Sequence, residues 1–197
     1  MKRKSKNERT TNETDIKIEL ELASLEKSVI DSGVPFFDHM LNSMSKHGRF
    51  YLNLECNGDV QVDDHHTVED IGIAFGKAFK KALGNKEGIK RFGDATIPMD
   101  DALAMVAVDL SGRAHYKYSG PELKGYIKKY SEELTTEFLR AFAIKGEINL
   151  HVVLMHGDNS HHIHESIFKA LGVALYKAVS IDPFLNGEVL STKGMIV

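Results

Sequence analysis

The chain carries one histidine-pair motif twice, at a fixed separation. DDHHTVEDIGIAFGKAFKKA, from Asp63, and DNSHHIHESIFKALGVALYKA, from Asp158, align on their paired histidines with an offset of 96 residues. They match at His65/His161, His66/His162, Glu69/Glu165, Ile71/Ile167, Ala74/Ala170, Gly76/Gly172, Ala78/Ala174, Lys81/Lys177 and Ala82/Ala178. Both windows place apolar residues three and four apart (Ile71, Phe75, Ala78, Phe79; Ile167, Leu171, Ala174, Leu175), so amphipathic helices are expected to begin at or just after each pair. Upstream, at an offset of 98, DHMLNSMSKHGRFYLNLE from Asp38 faces TEFLRAFAIKGEINLHVV from Thr136, with Leu41/Leu139, Gly48/Gly146 and Leu52/Leu150 in register. This pattern predicts helix, glycine stop, strand. Strand-like runs precede it in each copy, at Ile16 to Leu22 and Ala104 to Leu110, with shorter ones near Val29 and Tyr116.

Two copies of strands, helix, strand, helix predict an α+β chain: a duplicated half-domain with two sheets whose helices pack against one another. Two units are too few for a solenoid. The expected division is a polar tail over residues 1–9, a first half over 10–93 and a second over 94–197. At 197 residues, 42% hydrophobic and 27% charged, the chain has the composition of an ordinary globular protein. A net charge of −3 gives no general electrostatic reason to bind nucleic acid or an anionic membrane. No run approaches the roughly 18 apolar residues of a spanning helix. The single cysteine, Cys56, excludes an intramolecular disulfide, thiolate zinc sites and iron–sulfur clusters. The opening MKRKSKNERTTNET lacks the apolar segment of a secretory signal, which predicts a solvated tail and a cytoplasmic protein.

In HHTVE and HHIHE the first histidine lies four residues before the glutamate and the second lies three before it, so both spacings can converge on one side of a helix. Neighbouring helical residues point about 100° apart, so each pair is expected to serve two different ions. Nitrogen ligands mixed with carboxylates suit Mn, Fe, Co or Zn. The candidate ligands are His39, His65, His66 and Glu69 from the first half, with Glu137, His161, His162 and Glu165 from the second. Glu137 enters as the repeat partner of His39. Eight groups make two four-ligand sites with open positions, which favours six-coordinate Mn over tetrahedral Zn. His115, His151, His156 and His164 show no ligand spacing and are read as structural or exposed.

Arg91, Arg113, Ser191 and Lys193 form a second set suited to a phosphate, whose acceptor oxygens match arginine forks and a lysine beside a hydroxyl. The glycine-rich nucleotide loops are absent. On this chemistry alone a two-metal hydrolase and a metal-storage shell also remain open.

The motifs RTTNET, PFFDHMLNSMSKHG, DVQVDDHHTVEDIG, IPMDDALAMVAVDLSGRAH, NSHHIHESIFKALG and STKG run in order from about Arg9 to Gly194. Together they closely resemble the imidazoleglycerol-phosphate dehydratases of histidine biosynthesis. The resemblance implies helices between two four-stranded sheets, a 24-subunit shell with active sites shared between neighbours, and two Mn ions per site. It implies dehydration of imidazole glycerol phosphate to imidazole acetol phosphate. It assigns metal to His39, His65, His66, Glu69, His161, His162 and Glu165, and to Glu137, where many relatives have His. Glu13 and His47 match positions at the substrate, and Arg91, Arg113, Ser191 and Lys193 match its phosphate site. The substrate's ring is the expected electron sink, as an imidazolate stabilised by the two ions. Glu13 is the expected acid/base, with His47 or metal-bound water as competitor, and Glu165 is counted with them as a catalytic group.

Overall fold

Alternating apolar and polar residues become strands, and the three-and-four spacings become helices, in the computed structural model, which describes residues 3–196. The first half runs β1 (Lys4–Thr10), β2 (Thr14–Glu21), β3 (Val29–Asp31), α1 (Pro35–Gly48), β4 (Tyr51–Gly58) and α2 (His65–Leu83). The second begins with β5 (Phe92–Met99), β6 (Ala102–Asp109) and β7 (His115–Ser119). A small insertion, β8 (Tyr126–Ile127) and β9 (Tyr130–Ser131), leads to α3 (Leu134–Gly146), β10 (Asn149–His156) and α4 (Ser160–Val179). The two four-stranded sheets have the orders β1-β2-β4-β3 and β5-β6-β10-β7, which are the same order in repeat terms. In each, the last strand lies parallel to its neighbour and the others pair antiparallel.

The expected solvated tail is corrected at Lys4–Thr10, which forms β1 and pairs with β2 from Lys4↔Glu21 to Thr10↔Asp15. Its inward side chains are polar, so composition hides it. Ser5 and Asn7 donate to the Ala78 and Ala74 carbonyls of α2, and Arg9 pairs with Asp70 at 2.6 Å. The outward Lys4, Lys6 and Glu8 suit an edge strand, because charge there discourages pairing with another chain.

The helices occupy the space between the sheets. α2 lies on β1 and β2, α4 lies on β5 and β6, and the halves clasp through α1 on α4 and α2 on α3. The glycines common to both repeats sit where helices cross. A Cβ on Gly76 would stand 2.7 Å from the Phe142 carbonyl oxygen and 2.8 Å from the Gly146 nitrogen. On Gly172 it would stand 2.4 Å from the Met44 carbonyl oxygen and 2.9 Å from the Gly48 nitrogen. Gly76 and Gly172, Phe142 and Met44, and Gly146 and Gly48 are repeat partners, so one backbone contact is made twice. Between the crossings, Phe37 packs on Phe138 at 5.1 Å, Phe138 on Phe168 at 5.7 Å and Phe75 on Phe142 at 5.0 Å. All five rings are buried, each contributing about 1.5–3 kcal/mol from apolar area removed from water. This core fixes the helix starts that carry the histidines.

Candidate metal centre and active site

Each histidine pair opens a helix. Asp63 Oδ1 accepts the His65 N–H at 2.8 Å at the start of α2, and Asn159 caps α4 by accepting the His162 N–H at 3.2 Å. Within each pair the rings turn apart. The His65 and His66 centroids are 6.2 Å apart with planes at 89°, and those of His161 and His162 are 6.2 Å apart at 83°.

The first member of the second pair meets α1. His39, His161 and Glu165 bring one ligand atom each to within 4.8 Å of one another. Glu165 Oε2 lies 3.2 Å from His161 Nε2 and 3.9 Å from His39 Nε2. Its other oxygen is held by Lys169 Nζ at 3.0 Å. Burial works against ionisation of Glu165, but Lys169, His39 and His161 outweigh it and hold the carboxyl below its ordinary value. Phe36 and Phe37 seat this end of α1: Phe37 is buried, and Phe36 packs edge-on to His161 at 5.5 Å.

The repeat-related group is built differently. His65 Nε2 lies 4.0 Å from Glu69 Oε2. Glu137 comes from α3, and the Arg140 guanidinium joins it to Glu69, reaching Glu69 Oε1 at 3.3 Å and ion-pairing with Glu137 Oε2. Arg140 was not among the residues the sequence singled out.

The second histidine of each pair faces a carboxylate from elsewhere. His66 Nδ1 lies 3.1 Å from Asp59 Oδ2, and its Nε2 is 3.8 Å from Glu13. His162 Nδ1 bonds Asp101 Oδ1, and its Nε2 is 3.5 Å from Asp100. Donation to Asp59 raises the His66 pKa, and donation from His162, with the Asn159 and Asp158 amides, holds the Asp101 carboxyl well below the carboxylate range. A carboxylate on Nδ1 fixes the tautomer and leaves Nε2 as the available ligand atom. Asp59, Asp100 and Asp101 were missed by sequence reasoning. A signal for Asp101 existed, because it lies 88 residues after Glu13, the offset that also relates β1 to β5 and β2 to β6.

Glu13 projects from the β1–β2 turn, where the Thr11 hydroxyl accepts the Glu13 and Thr14 N–H groups at 3.1 and 3.0 Å. Arg9 and Thr14 anchor this hairpin to α2 through the two oxygens of Asp70, at 2.6 Å each. His47 donates from Nδ1 to the Ser43 carbonyl, eight residues and roughly 12 Å of helix rise from His39. Arg91, Arg113, Ser191 and Lys193 line one cavity of about 700 Å³, together with Ser111 and Glu188. Arg91 is already engaged, by Asp109 at 2.7 and 3.1 Å and by the Leu190 carbonyl at 2.8 Å. This cavity lies at the Phe92/Asp109 end of the β5–β6 pair, whereas Asp101 and His162 meet at the Met99/Ala102 end. The eight-residue strand between them spans roughly 23 Å. Of the other histidines, His164 is fully buried and bonds Thr135 at 2.8 Å, while His115, His151 and His156 are exposed.

Two units of one design, clasped through crossed helices and bearing His and carboxylate groups at the helix starts, define a duplicated α+β protein with a candidate metal centre. The chain belongs to the imidazoleglycerol-phosphate dehydratase family, whose profile matches residues 32–175. It is 50% identical over 188 residues to the imidazoleglycerol-phosphate dehydratase of Geobacillus kaustophilus, covering 95% of this chain and 96% of that protein. Against the Bacillus velezensis enzyme it is 50% identical over 194 residues, covering 98% of this chain and all of that one. The crystal structure of the Staphylococcus aureus enzyme superposes with a TM-score of 0.82 at 35% identity, covering 91% of this chain and 99% of that one. The Pyrococcus furiosus enzyme, solved in complex with (S)-C348, gives 0.81 at 34% identity over 95% and 99%. The protein is thus a hydro-lyase of histidine biosynthesis that dehydrates imidazole glycerol phosphate.

Proposed function

We propose that this dehydratase binds the imidazole end of its substrate at the His and carboxylate groups of one copy and the phosphate end in the Arg113 cavity of another. The observation that carries the proposal is the separation of roughly 23 Å between those two places in one chain. A three-carbon phosphate ester cannot span it. The position of His47, remote from His39 along α1, supports the same reading. So does the outer face of the second sheet, where Leu103, Met105, Ala107, Val153 and Met155 present apolar surface; the matching face of the first sheet carries Asp15, Lys17, Glu19, Asn53 and Glu55. An apolar face of that kind favours self-association, in keeping with the expected 24-subunit shell. Among the described residues no helix is long and apolar enough to cross a membrane, and the expected cytoplasmic location belongs to this proposal.

The donor set fits Mn: imidazole nitrogens and carboxylate oxygens, with the only thiol buried at Cys56. His39, His161 and Glu165 would hold one ion, and His65, Glu69 and Glu137 a second, with the Nε2 atoms of His66 and His162 as further ligands. Bound Mn supplies Lewis acidity to the imidazole nitrogens of the substrate. The protein's own residues do the rest. Loss of water removes a hydroxyl from the carbon beside the ring and a proton from the next carbon, so one group must give a proton and another position must lose one. Glu13, half exposed at its hairpin tip beside His66, takes that role, with His47 of a neighbouring copy as the competing candidate. Arg113, Lys193 and Ser191 fix the phosphate, so that binding energy far from the reacting carbons sets their register.

The test is turnover of imidazole glycerol phosphate by metal-stripped protein, with and without Mn. Keto product formed only when Mn is present supports the metal assignment, and equal turnover without any divalent ion overturns it.

A further inference from the structure

The residues one turn beyond His39 and Glu137 are also repeat partners: Asn42 and Arg140, 98 apart. They differ in what they do. Asn42 donates to the Asp38 carbonyl of its own helix at 2.8 Å and takes no part in the His39 group. Arg140 places Nε 3.2 Å from Glu137 Oε2 and Nη2 3.3 Å from Glu69 Oε1, so its guanidinium bridges Glu137 and the carboxylate that faces His65. In the other group the cation is Lys169, on the same helix as Glu165. It holds only Oε1 and leaves Oε2 facing two imidazoles. The repeat partner of Lys169 is Ile73, so neither cation is shared between the halves. Where the first half has an imidazole, the second has a carboxylate together with a cation that neutralises it.

We infer that the two metal groups of this chain are unequal: His39, His161 and Glu165 take a divalent cation first, and His65, Glu69 and Glu137 take one only as Arg140 is displaced. The inference rests on the metal reading proposed above. Arginine stays charged at every working pH, so nothing but displacement removes it. Its side chain is 45% exposed, which gives it room to swing away. Once it has gone, two carboxylates and an imidazole remain, a set with more negative charge than the His39 group.

The experiment is a calorimetric titration of Mn into metal-stripped, assembled protein without substrate, with free Mn counted by electron paramagnetic resonance. Two steps are expected, separated by about fivefold in affinity, the upper end of what a half-exposed ion pair contributes. Glu165→Gln should remove the tight step and Glu137→Gln the weak one. Arg140→Gln should tighten the weak step by about fivefold and leave the other in place, while Arg140→Lys, which keeps the charge, should preserve the separation. Two equal steps in the unmodified protein would overturn the inference, as would a weak step that is unchanged or weaker in Arg140→Gln. Absence of Mn uptake in every variant would defeat the metal reading itself, which is a different result.

Discussion

Asp101 holds two things together: its Oδ2 accepts the Asp158 and Asn159 N–H groups at 2.7 and 2.8 Å, and its Oδ1 takes His162 Nδ1. Asp101→Asn keeps the size and loses the charge, and Mn affinity in calorimetry should fall about 10–100-fold, as for other carboxylates behind a ligating imidazole. His164 gives a prediction of a different kind. Burial, and then the neighbouring His161, push its imidazole down to about 4, and Glu132 at 3.7 Å is too far to accept a hydrogen bond. In the unfolded chain the ring titrates near 6.5, so between those values the unfolded state takes a proton that the folded state refuses. Its contribution is therefore complete above pH 6.5 and declines as pH falls toward 4, by about 3 kcal/mol. Urea midpoints measured across that range should show the decline in the unmodified protein and a flatter profile in His164→Gln. The HHxxE ligands were legible in the sequence because their geometry is local to one helix. Asp101 and Arg140 were not, because each meets its partner only when a segment 61 or 71 residues away in sequence arrives; Asp59 lies seven residues before His66 but outside the helix that carries the pattern.

Helices were legible from their spacing, and both glycine stops from their place in the repeat. What the pattern left open was why the same glycines recur inside α2 and α4. Helix propensity would favour alanine at Gly76 and Gly172 by about 1 kcal/mol. The crossings reverse the sign, because the added methyl meets backbone atoms that cannot rotate away. Gly172→Ala and Gly76→Ala should each destabilise by about 2–3 kcal/mol or more in chemical denaturation; neutrality at either site would mean that the helices can slide apart at little cost. β1 marks the opposite failure of pattern reading. A strand whose inward face is Ser5, Asn7 and Arg9 has no apolar alternation to detect, since it docks through hydrogen bonds to α2.

The Arg113 cavity and the Asp101–His162 contact lie at opposite ends of the β5–β6 pair, and this gives the proposed sharing of sites a direct test. Glu165→Gln spoils the metal end and leaves the Arg113 cavity, while Arg113→Ala does the reverse. Either variant alone should lack turnover. Dissociated, mixed in equal amounts and reassembled, they should recover about a quarter of the sites, because random mixing gives each site an intact end from both neighbours with that frequency. No recovery in mixed assemblies that contain both chains would place the two ends in one copy after all. The duplicated plan was legible from the offsets alone, but the separation of the ends was not, since it depends on the β5–β6 pair running its full length between them.

The clasp of α1 on α4 and α2 on α3 means that neither half buries its helices alone. A free half would have to find a second copy, and its folding would then depend on concentration, whereas a linked pair meets at a fixed, high effective concentration however dilute the solution. Linkage also ends an obligation. Two identical partners about a dyad must change both faces whenever they change one; joined in a single chain, they can drift independently. His39 with Asn42 on one side, and Glu137 with Arg140 on the other, is what that freedom looks like in this molecule.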